Sequence, residues 1–282
     1  GLSGTVLSVG MLSIFAVIFV VPLVQNWPYQ TQFTLAHVQA VFADSELQTV
    51  YLHSLGMALC TAFFGTLLAY GAALITARST LPKWRKQSVD SIALVTNTIP
   101  GMVLGLAFLF TFTGTPLQNT FPLMILCNIV HYFSTPYLMM KNSLSKMNAG
   151  WETTAMLMGD SWPKTILRVV TPNAASSLIE VFSYYFINAM VTISALIFLA
   201  GARTMVLTTK IKQQEQFRME SEREKIKELQ YYNKYNEIFV LSLLILFTNL
   251  LAKAIFTWLA NRSAQTGKRN NKKRKETKPS CI

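Results

Sequence analysis

The chain alternates long apolar runs with short polar connections. Runs at 6–24, 50–75, 92–112, 121–140, 176–200 and 238–260 are nearly free of charge, and each is long enough to cross about 30 Å of hydrocarbon as a helix. An apolar soluble core would need polar surface helices between such runs, and here the runs are too long and too uniform for that. The pattern predicts an all-α membrane protein with six transmembrane helices. It divides into a first helix and external segment at 1–49, a core of five further helices at 50–260, and a basic tail at 261–282 that reads as disordered by composition.

Charge orients these spans. The connection 78–90 carries Arg78, Lys83, Arg85 and Lys86, the connection 141–172 carries Lys141, Lys146, Lys164 and Arg168, and eight of the 25 Lys and Arg lie in the last 21 residues. The segment 25–49 has Asp44 and Glu46 and no Lys or Arg. Both termini and the even-numbered connections are therefore expected in the cytoplasm. The connection 201–237 then lies outside although it holds eight basic residues against six acids. Its pairs Arg218/Glu222, Glu220/Arg223, Glu222/Lys225 and Glu224/Lys227 predict a solvated, side-chain-paired helix.

Composition agrees. The chain is 51% hydrophobic and 13% charged, about half the usual charged share, so lipid is its main solvent and its main non-protein contact. A net charge of +12 would suggest nucleic acid in a soluble protein, but basic residues gathered at one membrane face mark the cytoplasmic side, and no nucleic-acid partner is expected. Cys60, Cys127 and Cys281 share no ligand spacing and read as packing residues.

Polar residues inside the runs are few: Asn97, Asn128, His131, Glu180, Asn188, Asn249 and Lys253. Such groups face a pathway or bond to another helix. Glu180 and Lys253 lie near span ends and are expected to reach toward the interface. Pro100 and Gly101 would break the third helix and free backbone carbonyls. Asn97, Pro100, Asn188 and Arg203 are the candidates for a translocation path. His53 and His131 stand alone, and no metal site is expected.

The connection KNSLSKMNAGWETTAMLMGDSWPKTILRVVTPN reads as two short helices and a turn. Asn148 caps the first, which runs through Glu152, Ala155 and Leu157. Gly159 ends it in the left-handed conformation. Asp160 or Ser161 caps the second, Pro163 fits its first turn, and Pro172 stops it before span five. The product is an L-shaped knob on a membrane helix.

This stretch resembles the cytoplasmic loop of the binding-protein-dependent permeases of type I ATP-binding-cassette importers. That loop has a Glu-Ala-Ala signature, a glycine six positions after the Glu and a proline thirteen after the glycine. Gly159 and Pro172 keep the spacing. The signature Glu and first Ala fall on Thr153 and Thr154, the second Ala is Ala155, and Glu152 stands one place earlier. The likeness runs from about Phe33, through FTLAHVQAVF, to the end of span six. It implies a bacterial inner-membrane permease whose loop, with Glu152, Thr153, Thr154, Ala155, Gly159, Asp160 and Pro172, couples to cytoplasmic ATP-binding subunits. It also implies an extracytoplasmic substrate-binding protein and a second permease half, whether a copy, a sister subunit or a fused half. Because the chain opens at Gly1 without a basic leader, it reads as a processed product, a fragment or the second half of a double permease.

No glycine-rich phosphate loop is present, and the one Gly-Lys pair, Gly267-Lys268, precedes Arg269 in the tail. The resemblance therefore places ATP and Mg on the partner ATPase, with no cofactor and no catalytic residue on this chain. An intramembrane protease would need paired aspartates, a Ser with a His, or a zinc motif, and none is present. A membrane scaffold with a lipid-binding basic tail is the alternative. NTIPGMVLGLAFLF, ILCNIVHYFSTPYLM and FLAGARTMVLTTKI are similar to permeases for 2-aminoethylphosphonate or ferric iron, and Arg203 would suit an anionic phosphonate.

Overall fold

A computed structural model describes residues 2–26, 30–192, 196, 199, 205–206, 209–214, 216 and 228–276. Helices α1 (Leu2–Val20), α2 (Ala36–Ala43), α3 (Ser45–Arg78), α4 (Lys83–Val95), α5 (Gly101–Phe112), α6 (Phe121–His131), α7 (Ser134–Ser145), α8 (Gly150–Leu157), α9 (Trp162–Thr165), α10 (Thr171–Val191) and α11 (Glu228–Glu276) make up nearly all of it. The exception is a two-stranded antiparallel ribbon, β1 (Val24–Asn26) with β2 (Gln30–Phe33), pairing Val24 with Phe33 and Asn26 with Gln30. It folds beside α2, where His37 Nε2 lies 3.2 Å from the Gln25 carbonyl.

The centre is α3. Asp44 caps it, its carboxylate accepting from the Glu46 and Leu47 amides at 2.8 and 3.3 Å, which satisfies two of the donors a helix start leaves open. Ala58, Ala62, Gly65, Ala69 and Ala73 fall on one face of α3, and the four alanines are fully buried. Small residues let helices approach closely where lipid supplies no hydrophobic drive for association. The ring of Tyr185 on α10 lies so near Gly65 that a Cβ there would stand 2.8 Å from it. α10 packs on α3, α7 and α11, and α6 and α7 pack on α3 as well. Across the helices run Tyr51 to Thr248 at 2.8 Å, Tyr70 to Thr171 at 2.7 Å and Ser143 to Ser177 at 2.7 Å.

Among the described residues, four helices are long and apolar enough to cross a membrane: Gly4–Leu23, Ser45–Arg78, Trp162–Val191 and Ile238–Gln265. The expected straight spans at 92–112 and 121–140 are both broken. Lys83–Thr98 meets Gly101–Phe112 at 107°, and Phe121–His131 meets Ser134–Ser145 at 58°. Six spans result if each bent pair is one crossing. Proline explains both breaks: Pro100 stands at the N-cap of α5, and Pro136 in the first turn of α7 would drive its ring against the Tyr132 carbonyl if the helix ran straight.

Two further expectations change. The helix assigned to 176–200 begins at Trp162, running through α9, a π-helical turn at Ile166–Val170 and α10. The tail expected to be disordered is helical through Glu276 as the end of α11. The paired charges foreseen between Arg218 and Lys227 lie outside the described residues.

Candidate functional site

The knob at 146–172 is built much as its residues dictate at the first helix. Asn148 Oδ1 accepts from the Gly150 amide at 2.8 Å and starts α8. At the other end Gly159 takes φ +77°, the Asp160 amide reaches back to the Ala155 carbonyl at 2.9 Å and the Gly159 amide to Met156 at 3.0 Å. These bonds are the six-to-one and five-to-two pair of a Schellman stop. Ser161 opens α9 without a side-chain cap and Pro163 sits in its first turn; Asp160 instead pairs with Lys164.

Pro172 does not end the second helix. The chain widens into a π turn just before it, where the Thr171 amide and its Oγ1 both bond to the Ile166 carbonyl, the hydroxyl at 2.9 Å. The wider turn accommodates a proline ring that an ordinary α-helix would press on the carbonyl four residues back. Tyr70 of α3 holds Thr171 from the side. The knob is thus continuous with α10.

Glu152 is the acid that matters structurally. Arg78, the last residue of α3, grips it with Nε to Oε1 at 2.6 Å and Nη2 to Oε2 at 2.5 Å, and also donates to the Met147 and Asn148 carbonyls at 2.9 Å. Only 3% of the Arg78 side chain and 14% of Glu152 remain exposed. A bidentate, nearly buried guanidinium–carboxylate pair fixes angle as well as distance. Thr153 and Thr154, at the positions counted as the signature, are exposed, and the Thr154 hydroxyl turns back to the Gly150 carbonyl of its own helix. Ala155 is half-buried and supplies the carbonyl that closes the Schellman stop. The distal tip presents Met156, Leu157 and Met158 to solvent, Leu157 at 84% exposure. Sequence reasoning missed Arg78 as the partner of Glu152, since it counted only as one of several cytoplasmic charges.

A second anchor lies one helix away. Asp90 on α4 takes Lys141 at 2.5 Å and the Tyr137 hydroxyl, which also stands 3.0 Å from Thr76 Oγ1. It ties the ends of α3, α4 and α7 together.

The path candidates are scattered. Asn97 is exposed in the 3-10 turn Thr96–Thr98, and Pro100 follows at the break. Asn188 is elsewhere, lining a cavity of about 590 Å³ between α7, α10 and α11. Arg203 lies outside the described residues. Glu180 and Lys253 line the same cavity as Asn188, and both lie well inside the helices Trp162–Val191 and Ile238–Gln265 rather than near their ends as expected.

Residues 65–265 match the family described as binding-protein-dependent transport system inner membrane component. A Haemophilus influenzae protein named as a ferric transport system permease, FbpB 1, is 26% identical over 206 residues, which is 69% of this chain and 31% of that protein. The ferric transport system permease protein FbpB of Actinobacillus pleuropneumoniae is 26% identical over 153 residues, 54% of this chain and 21% of its own length. The chain therefore spans a third or less of these relatives. Among solved structures, a bacterial alginate ABC transporter in complex with alginate pentasaccharide-bound periplasmic protein superposes with a TM-score of 0.70 at 12% identity, covering 93% of this chain and 94% of that one. The inward-facing MetNI methionine ABC transporter gives 0.57 at 16% identity over 77% and 96%. These likenesses establish the fold.

Proposed function

The chain belongs to the family of binding-protein-dependent transport system inner membrane components, and from that premise we propose that it is the permease half of an ATP-binding-cassette importer. It moves a small solute inward by alternating access while a separate ATPase, which holds ATP and Mg, supplies the energy. The observation that carries the reading is the knob at 146–172: an exposed apolar tip of Met156, Leu157 and Met158, clamped by Glu152 to α3 and continuous with α10. Force applied at the tip moves two membrane helices at once. Glu152 is the clamp, Gly159 sets the turn, Asp160 orients it with Lys164, and Thr153, Thr154 and Ala155 form the outer face of α8. Pro172 marks the π turn where the knob joins the membrane.

Both termini then lie in the cytoplasm, an extracytoplasmic protein delivers the solute, and a second permease half completes the pathway. Ferric iron is the better supported solute, because the curated relatives are named for it; a phosphonate rests on resemblance of the apolar stretches. The test is co-purification of the tagged chain in mild detergent. An ATP-binding subunit should come with it and be lost when 151–172 is replaced, and the solute that stimulates hydrolysis identifies the cargo. Retention of the subunit without the loop overturns the proposal.

A further inference from the structure

Two apolar clusters meet inside the molecule. One joins α3, α7 and α10 around Ala62, Tyr137 and Tyr185; the other joins α5 and α6 around Leu104, Met124 and Cys127, with Met57 of α3. The chain passes between the clusters at its two bent breaks, Ile99–Pro100 and Tyr132–Phe133. α5 and α6 are therefore a hairpin laid against α3, with a bend at each end where it joins the rest.

Along that joint α3 presents Met57, Thr61 and Gly65, successive turns of one face. The Asn128 amide of α6 reaches the Met57 sulfur at 3.9 Å. At the other end the outer edge of the Tyr185 ring, including the carbon that bears its hydroxyl, stands against Gly65. Thr61 lies between, so the three polar residues Asn128, Thr61 and Tyr185 fall along about 12 Å of helix. All three are fully buried, yet the Asn128 Oδ1 and the Thr61 and Tyr185 hydroxyls have no hydrogen-bond partner among the described residues. A hydroxyl in a helix ordinarily turns back to the carbonyl one turn earlier, as Ser54, Thr76 and Thr248 do. Thr61 does not, which leaves its proton for a partner across the joint.

Three unpaired polar groups in one buried place are costly, and they do not bond to one another. Two hydroxyls that can donate and an amide oxygen that can only accept are complementary to water, which both gives and takes hydrogen bonds. The three groups carry no charge, and a cation would need one to repay its dehydration. We propose that this seam is a water-binding site, in which ordered water bridges Asn128, Thr61 and Tyr185 and couples the α5–α6 hairpin to α3. Such a joint can re-form its bonds as the hairpin shifts, where direct bonds between helices would have to break. The site stands on the packing of these helices and does not depend on the permease reading.

X-ray radiolysis of the full chain in nanodiscs, with whatever subunits accompany it, tests this. Radicals formed from a held water oxidise the side chains beside it, and mass spectrometry reads the products. Met57 should oxidise at least about fivefold faster than Met124 and Met140, which are as deeply buried, and Tyr185 should be labelled with it. Thr61→Val, which keeps the shape and removes the hydroxyl, should bring Met57 down to the rate of the other two. Thr61→Ser should restore the difference, and Tyr185→Phe, which leaves the ring on Gly65, should lower it. Equal rates at Met57, Met124 and Met140 in the unaltered chain overturn the proposal whatever the variants do. So does fast Met57 oxidation that survives both Thr61→Val and Tyr185→Phe, since water reaching the sulfur would then be held by other groups.

Discussion

Arg78 spends all of its reach on one neighbourhood: two bonds to the Glu152 carboxylate and two to backbone carbonyls. Removing either partner strands a nearly buried charge, on the order of 3 kcal/mol of local stability. Glu152→Ala should therefore release α8, read as faster amide exchange across 150–157, while the exposed Thr153→Ala leaves exchange unchanged. The opposite result would return the role to the position that the spacing indicates. Gly65 offers a second test. Valine there would press on the Tyr185 ring, where an added Cβ already meets carbon at 2.8 Å. It should lower the detergent melting stability by about 1–3 kcal/mol, whereas Gly71, with nothing within 4 Å of a Cβ, should accept alanine. Gly159 was legible in the sequence, because a helix stop before a second helix calls for positive φ. The Arg78–Glu152 pair was not: the two lie 74 residues apart, and one sequence contains no rule that selects one cytoplasmic arginine from several.

Helix breaks decide how these elements behave. The π turn at Ile166–Val170 carries two special bonds, Thr171 to Ile166 and Tyr70 to Thr171. Tyr70→Phe should cost about 0.5–1.5 kcal/mol and loosen the joint between knob and span, visible as greater protease access near Leu167. At the other joint, Gly159→Asn should preserve coupling because asparagine tolerates the left-handed region, while Gly159→Val should insert normally and fail to couple hydrolysis to transport. Apolar runs located the spans but blurred their ends. With span five placed at 176–200, Glu180 falls near its end; the helix begins at Trp162, which puts the same residue well inside it. Pro136 escaped notice for a related reason, since hydropathy alone passes smoothly through 121–140 while the missing amide and bulky ring break the helix inside it.

The whole molecule has a direction, and labelling can read it. With Cys60 and Cys281 replaced and Cys127 buried, Leu157→Cys should react with an impermeant maleimide only in inside-out vesicles, and Phe33→Cys only in right-side-out ones. The reverse pattern would invert the topology and separate the knob from any cytoplasmic ATPase. Charge asymmetry is what predicts this orientation, because Lys and Arg near short loops are held on the cytoplasmic side. The tail was less readable: its composition suggests disorder, yet the chain continues α11 through Glu276, since no proline lies between Ala260 and Glu276 to stop a helix already nucleated and the single glycine, Gly267, only weakens it.

The solvent-facing Met156, Leu157 and Met158 have a consequence for how the cell must make this protein. Before assembly they form a sticky patch in a crowded aqueous compartment, the kind of surface that chaperones and proteases survey. On the proposed reading, a chain synthesised in excess of its ATPase partner would be recognised as an orphan and cleared, so the same tip that would transmit the power stroke would also enforce stoichiometry.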